Sequence, residues 1–149
     1  MPEDTAKRYK ARFYAVTLTL SAAKALLIGE STEGSFNVVN LPFTATRITS
    51  AVVGPTNNAL EAFTGAFDGS YSLEFRTDQH NYQGEPLLAA ALHGLPSGGY
   101  HALPAPIEMA PKTTCSLRLV NQAVRTAETK FQVIFHGVEP IVASAGIPT

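Results

Sequence analysis

The chain has 149 residues with 12 acidic and 11 basic side chains, which give a formal net charge of −1 at pH 7. Its hydrophobic content of 45% supplies a core, but no apolar run approaches the roughly 20 residues that span a bilayer. The balanced charge also argues against nucleic acid, because phosphate binding requires a concentrated excess of Lys and Arg. We therefore expect one globular domain whose partner is neither a membrane nor a nucleic acid.

The N-terminal region combines a charged start with an alternating segment. The first ten residues lack the apolar region of a signal peptide, so we expect a protein made and left in the cytoplasm. A basic cluster follows, formed by Lys7, Arg8, Lys10 and Arg12. It is interpreted either as a solvated terminus or as an arm that docks on an acidic neighbouring subunit.

Two apolar stretches leave their secondary structure open. Ser21–Gly29 is rich in Ala and Leu and has helix-cap residues at both ends, which suits a short helix. The alternation of Tyr14, Val16, Leu18 and Leu20 just before it favours a hairpin arm instead. Pro86–Gly94 is either a buried strand or two helical turns, and its β-rich context favours the strand.

Short alternating segments separated by Gly, Pro and Asn make up most of the chain. The clearest are Tyr71–Arg76, Cys115–Asn121 and Phe131–Gly137, and weaker ones are Ser35–Val39, Ala45–Val53 and Tyr100–Met109. Alternation of period two puts every second side chain on one face of a sheet. Pro104 and Pro106 cannot donate ladder hydrogen bonds, so their segment is expected to be an edge strand or an extended connection. The pattern predicts an all-β, single-domain sandwich or jelly roll of about eight strands.

The residues that carry chemistry are few. Cys115 alternates with Leu117 and Leu119, so we expect a buried, unreactive thiol. The four histidines form no pair with metal-ligand spacing, and Glu74 beside Arg76 suggests a surface ion pair rather than a catalyst. We therefore expect no enzyme activity, no catalytic or metal site and no cofactor.

The order of the segments resembles that of small virion proteins of tailed bacteriophages. These proteins have an apolar segment that enters a sheet, a strand with a polar outer face, a Pro-rich crossing, a strand ending in Asn and a last strand ending near Gly. The resemblance covers about residues 35–139. The segments that carry it are Ser35–Val39, Pro42–Ile48, Tyr71–Arg76, Gly84–Leu88, Leu103–Ile107, Thr114–Asn121 and Phe131–Glu139.

This resemblance implies a jelly-roll-like capsid decoration or cement protein, trimeric and located in the virion, that binds the major capsid protein or other virion subunits through extended terminal arms. On this interpretation residues 1–20 form the N-terminal arm and first strand region, 21–139 the sandwich body and 140–149 the C-terminal tail. The candidate partner-binding residues of the arms are Lys7, Arg8, Lys10, Arg12, Phe13, Tyr14, Ile141 and Val142. Aromatic and aliphatic anchors with basic residues around them suit such contacts.

Three alternatives remain, one of which is a metal-dependent enzyme built around the four histidines. A carbohydrate- or receptor-binding sandwich would present loop residues to its ligand, and the candidates are His80, Asn81, Tyr82 and Tyr100. A component of the head-to-tail region or the tail would use the same fold.

Overall fold

The segments with the clearest alternation form the strands of the fold. The computed structural model describes residues 8–54, 71–78, 80–83, 86–95, 99–125 and 128–141. The described strands are β1 Tyr9–Leu20, β2 Ser31–Asn37, β3 Phe43–Gly54, β4 Tyr71–Thr77, β5 Leu87–Leu88, β6 Gly94–Leu95, β7 Gly99–Tyr100, β8 Ile107–Met109, β9 Thr114–Asn121 and β10 Thr129–Pro140. The described helices are α1 Ala22–Ala25 and α2 Ala89–His93.

Eight of these strands form two antiparallel sheets. Sheet I has the order β1-β10-β3-β8 and sheet II has the order β2-β9-β4-β5, while β6 and β7 form a separate hairpin. The two sheets bury their facing side chains against each other. The predicted all-β sandwich is therefore confirmed.

The strand pairing is nested along the chain. Of the eight sheet strands, the first pairs with the last (β1 with β10), the second with the seventh (β2 with β9), the third with the sixth (β3 with β8) and the fourth with the fifth (β4 with β5). Two further pairings, β10 with β3 and β9 with β4, join these pairs into the sheets. As a result, β10 and β3 are the inner strands of sheet I, and β8 lies at its edge, as the prolines predict.

Aromatic rings fill the space between the sheets. Phe135 of sheet I lies with its ring centroid 5.1 Å from that of Phe36 and 5.3 Å from that of Phe75, both in sheet II. Tyr14 stacks on Phe36 at 4.8 Å and meets Phe43 edge-on at 4.8 Å. Such pairs are each worth about 0.5–1.5 kcal/mol beyond the burial of their area, so they tie the two sheets together in one arrangement.

The structure corrects three expectations about secondary structure. Residues 9–12, expected in an arm, belong to β1, in which every residue pairs with β10, from Tyr9 opposite Pro140 to Leu20 opposite Thr129. Pro86–Gly94 is not one strand, since β5 has two residues and leads into α2. Ser21–Gly29 is not a hairpin arm: Ser21 accepts a hydrogen bond from the backbone N–H of Lys24 as an N-cap, and the helix ends at Ala25.

The glycines of β10 and β2 predict an asymmetric cost of substitution. A Cβ on Gly137 would collide with the carbonyl oxygen of Thr44 and lie 2.8 Å from the ring of Phe43. On Gly34 it would meet only the ends of the Leu18 and Val16 side chains, at 2.6 and 2.9 Å. Backbone cannot yield as a side chain does, so we expect Gly137→Ala to lower the free energy of unfolding by about 3 kcal/mol and Gly34→Ala by about 1 kcal/mol. Urea denaturation measures both, and equal losses would contradict this packing.

Candidate interaction surfaces

The basic residues of β1 contact the body of the protein. The ammonium of Lys10 lies 3.3 Å from the carboxylate of Glu139 and the Nε of Arg12 lies 3.7 Å from it, and the Glu139 side chain is only 6% exposed. The Arg12 guanidinium also lies 4.7 Å from the centroid of the Tyr14 ring. Lys10 and Arg12 therefore neutralise a buried carboxylate, which corrects the expectation that they steer a free arm.

The remaining arm residues divide into core and surface. Tyr14 is 7% exposed and belongs to the core, so its expected role as a contact anchor is wrong. Alternation along β1 turns its neighbour Phe13 outward, at 58% exposure, and Ile141 is 50% exposed. Arg8 is exposed, and its carbonyl accepts the backbone N–H of Ile141 at 2.8 Å. The other two candidates, Lys7 and Val142, lie outside the described residues.

An apolar surface that sequence reasoning missed lies at the opposite end of the sandwich. It is formed by four aliphatic side chains, and we call it the tip cluster: Leu26, Leu27, Ile28 and Val124. Their exposed fractions are 53%, 56%, 63% and 63%. Grouped exposed apolar side chains mark interaction sites more often than single ones do.

Asn121 holds the backbone of the tip cluster in place. This residue is fully buried, and its Nδ2 donates to the carbonyls of Ala25 at 3.2 Å and Leu27 at 3.0 Å. Its Oδ1 accepts from the Nε of Arg125 at 2.9 Å, and its carbonyl accepts from the N–H of Gly29 at 2.7 Å. The N–H of Arg125 also donates to the carbonyl of Ala25 at 2.8 Å, which places Val124 beside the α1–β2 turn.

The run of three aliphatic residues was the available signal for the tip cluster. The expected short helix or hairpin arm over Ser21–Gly29 does not place Leu26, Leu27 and Ile28 in a turn. The helix ends at Ala25, and Gly29 adopts φ +97°, which turns the chain into β2. Leu26, Leu27 and Ile28 therefore lie in the turn between α1 and β2, and all three side chains are exposed.

A groove of about 500 Å³ lies at the edge of the sandwich between β4 and the Pro-rich segment before β8. Its first wall contains Tyr82, 40% exposed, stacked on Phe75 with ring centroids 5.5 Å apart. Its second wall is residues 103–108. Gln83 fixes the first wall, because its side-chain amide accepts from the N–H of Phe75 and donates to the carbonyl of Leu73, both at 2.9 Å. Sequence reasoning missed this role of Gln83.

Only part of the predicted ligand-binding set lines this groove. His80 and Tyr82 do, with their ring centroids 5.9 Å apart. The Asn81 side chain accepts a hydrogen bond from the N–H of Gln83 at 3.1 Å, so it supports the turn. Tyr100 lies in β7, and its side chain is outside the described part of the structure.

A buried polar chain connects Tyr71, Ser50 and His93. The Ser50 hydroxyl lies 2.8 Å from the Tyr71 hydroxyl and 2.6 Å from His93 Nε2, and His93 Nδ1 lies 2.8 Å from the carbonyl of Gly94. Since a carbonyl only accepts, Nδ1 carries a proton and Nε2 of the neutral ring accepts from Ser50. Ser50 and His93 have the contact of a nucleophile and its base, but they are 3% and 1% exposed, so the network is placed to stabilise the core.

Other chemistry is sparse among the described residues. Cys115 is fully buried, and burial raises the pKa of its thiol to about 12, as expected of an unreactive cysteine. Glu74 pairs with Arg118 across the strands at 3.6 Å, which corrects the expected pairing with Arg76. Within the described ranges, no group of three or more His, Cys, Asp or Glu side chains is arranged to hold a metal ion. The helices described here are all too short to cross a bilayer.

Comparison with known proteins identified no relative of the chain. No protein-family model matches the chain, and neither the curated proteins nor the solved structures include a match.

Asn121 is predicted to stabilise the tip cluster and the fold together. Asn121→Ala removes the donor of one buried and one partly buried hydrogen bond and the acceptor for Arg125, so we expect the free energy of unfolding to fall by about 3 kcal/mol. Its neighbour Gln122 is exposed and donates one hydrogen bond to Ser72 at 3.2 Å, so Gln122→Ala should cost about 0.5 kcal/mol or less. Urea denaturation measures both, and amide exchange should accelerate at residues 26–29 only in Asn121→Ala. Unchanged exchange there would contradict the role of Asn121.

His93 is predicted to make the fold less stable in mild acid. Burial lowers the pKa of His93 below its ordinary 6.5; a hydrogen bond to Gly94 opposes this shift and the charge of His101 adds to it. The unfolded chain therefore binds a proton that the folded chain does not, so stability is complete above about pH 6.5 and declines below it. Burial and then Arg47 also lower the pKa of His136, so this residue contributes in the same direction.

Urea denaturation between about pH 5 and pH 8 measures the effect. We expect His93→Gln to flatten the decline below pH 6.5 and His136→Gln to flatten it less, because His136 is only half-buried. A wild-type slope that persists in His93→Gln would show that another group titrates.

Proposed function

We propose that the chain is a structural protein of a bacteriophage virion, a capsid decoration or cement subunit with a jelly-roll sandwich. The observation that carries the proposal is the nested pairing of the eight sheet strands, first with last through fourth with fifth. A jelly roll is an eight-stranded double sheet of this kind, and viral capsid domains are among the proteins built on it. The segment order that resembles small phage virion proteins supports the same function.

The tip cluster is the proposed contact with the major capsid protein. Its four aliphatic side chains are more than half exposed, and the buried hydrogen bonds of Asn121 fix their backbone before any partner arrives. A preformed loop loses little conformational entropy on binding, so more of the burial energy becomes affinity. Decoration of a capsid repeats the contact in many copies, which multiplies a modest affinity at each site.

The proposed location is the virion after assembly in the host cytoplasm. A reducing compartment disfavours disulfides, and the only cysteine of the sequence is buried with a raised pKa. A place in the head-to-tail region or the tail would use the same tip cluster against a different virion subunit.

The edge groove favours a second function, a carbohydrate- or receptor-binding sandwich. Its volume of about 500 Å³ is within the range of ligand sites, and Tyr82 presents an aromatic face beside His80. Lectins also use the jelly roll, so the topology suits both functions. The two proposals differ in the surface that binds.

Two leucines form a matched pair for the test. Leu27 in the tip cluster is 56% exposed, and Leu88 at the edge of sheet II is 51% exposed. Capsids of the virus that encodes the chain, prepared without it, are mixed with each variant and sedimented. Burial of one leucine is worth about 2 kcal/mol, so Leu27→Ser should weaken binding at least tenfold, and Leu88→Ser should bind as the wild type does.

Three results would overturn the proposal. Equal binding by both variants would remove the tip cluster as the contact, and absence of the chain from purified virions by mass spectrometry would remove the virion role. Binding on a glycan array that is lost in Tyr82→Ala would establish the carbohydrate-binding alternative instead.

A further inference from the structure

The middle of the outer face of sheet I carries little charge, unlike an ordinary solvent-exposed sheet. Four consecutive cross-strand rows of outward side chains run over β1, β10 and β3 there. The rows are Ala11 with Val138 and Thr44, Phe13 with His136 and Arg47, Ala15 with Ile134 and Thr49, and Thr17 with Gln132 and Ala51. Arg47 is the one charged residue in these four rows, and further charged residues lie at the margins of the face, Lys130 opposite Thr19 and Glu108 opposite Thr44 on the edge strand β8. Antiparallel sheets usually alternate apolar inside with polar outside, so a central patch with exposed apolar side chains and a single charge indicates a cover.

Sheet II provides the comparison within the same molecule. Its outer face carries the row Glu33, Arg118 and Glu74, with Arg76 in the next row. The Arg118 guanidinium lies 3.6 Å from the Glu74 carboxylate. This face has the opposite charges of a solvated sheet, and the difference from sheet I is therefore a property of one face rather than of the whole composition.

The outer face of sheet I has a projection and a hollow next to each other. The Phe13 ring is 58% exposed and rests edge-on against His136, with centroids 5.3 Å apart and an interplanar angle of 86°. His136 is in turn 2.7 Å from the Thr49 hydroxyl, so the ring has a fixed support. Phe13 itself forms one wall of an open hollow of about 450 Å³, whose other lining residues include Ala11, Arg47 and His136.

The face is close to the size that a stable dimer needs. β1, β3 and β10 have 12 residues each. At ~3.4 Å per residue and ~4.8 Å between strands, they cover about 40 Å by 14 Å, or roughly 550 Å² in plan. The relief of the side chains adds to this area, and a specific interface buries roughly 800 Å² on each partner.

We propose that the outer face of sheet I packs against the same face of a second copy of this chain, with Phe13 of each copy in the hollow of the other. A patch that holds both a projection and a matching hollow is self-complementary, and self-complementary patches pair about a two-fold axis. The assembly is therefore a dimer, in contrast to the trimer that the phage resemblance implies. This inference does not rest on the virion role, because it concerns the purified chain alone.

Substitutions on the two outer faces test this packing. Ala15→Lys places a charge in the middle of the proposed interface, and Ser35→Lys places the same charge on the exposed outer face of sheet II. We expect the wild type and Ser35→Lys to be dimers by size-exclusion chromatography with light scattering, and Ala15→Lys to dissociate with at least a tenfold higher Kd. Circular dichroism checks that both variants fold.

Cysteine crosslinking tests the two-fold geometry separately. Ile134 lies on the central strand of the face, between Ala15 and Thr49, and the native thiol of Cys115 is fully buried. Sheets that pack face to face lie about 10 Å apart, too far for a direct disulfide, so a bismaleimide is used to join the thiols. With this reagent Ile134→Cys should form a covalent dimer on a denaturing gel, and Ser35→Cys should not.

Four results would overturn the inference. These are a wild-type mass of one chain at the highest concentration, a mass of three chains, an unchanged Kd in Ala15→Lys, or equal crosslinking of the two cysteine variants. Because none of these experiments uses a capsid, failure here is distinct from failure of capsid binding in Leu27→Ser.

Discussion

The contact of Phe135 with Phe36 and Phe75 is the interaction on which the structure depends. Phe135 lies on an inner strand of sheet I, and the two rings that it meets belong to different strands of sheet II. Because both partners approach one fully buried ring, the spacing and rotation of the sheets are set at this point. The positions of the surfaces outside the core follow from this spacing and rotation of the sheets.

Two of those surfaces are rigid for different reasons. The tip cluster has little regular structure, and the hydrogen bonds of Asn121 replace the ladder that a strand would provide. The outer face of sheet I is held by the ladder itself, with Phe13 supported by His136 across the strands. Both surfaces hold their apolar side chains in place before a partner binds. Binding therefore costs little conformational entropy. The outer face of sheet II is held by a ladder as well, but it presents opposite charges instead of apolar side chains.

Local pattern predicted the strands well and the long-range contacts poorly. Strands β4, β9 and β10 follow from strict alternation, and Cys115 follows from its place in β9. The basic residues of β1 resembled an arm because their partner, Glu139, is more than 120 residues away in the sequence. Arg118 rather than Arg76 pairs with Glu74 because opposite residues on adjacent strands are closer than residues two apart on one strand. Neither pairing has a local signal.

The nested pairing also determines when the fold can be completed. β10 is an inner strand of sheet I and follows the other described sheet strands in the chain, so until it pairs, β1 has no ladder partner and β3 has only β8. Until then the edges of β1 and β3 that β10 covers are open to pairing with another chain. Contacts between distant residues also close slowly. The state of this molecule most exposed to edge-to-edge aggregation is therefore the one in which β10 is unpaired.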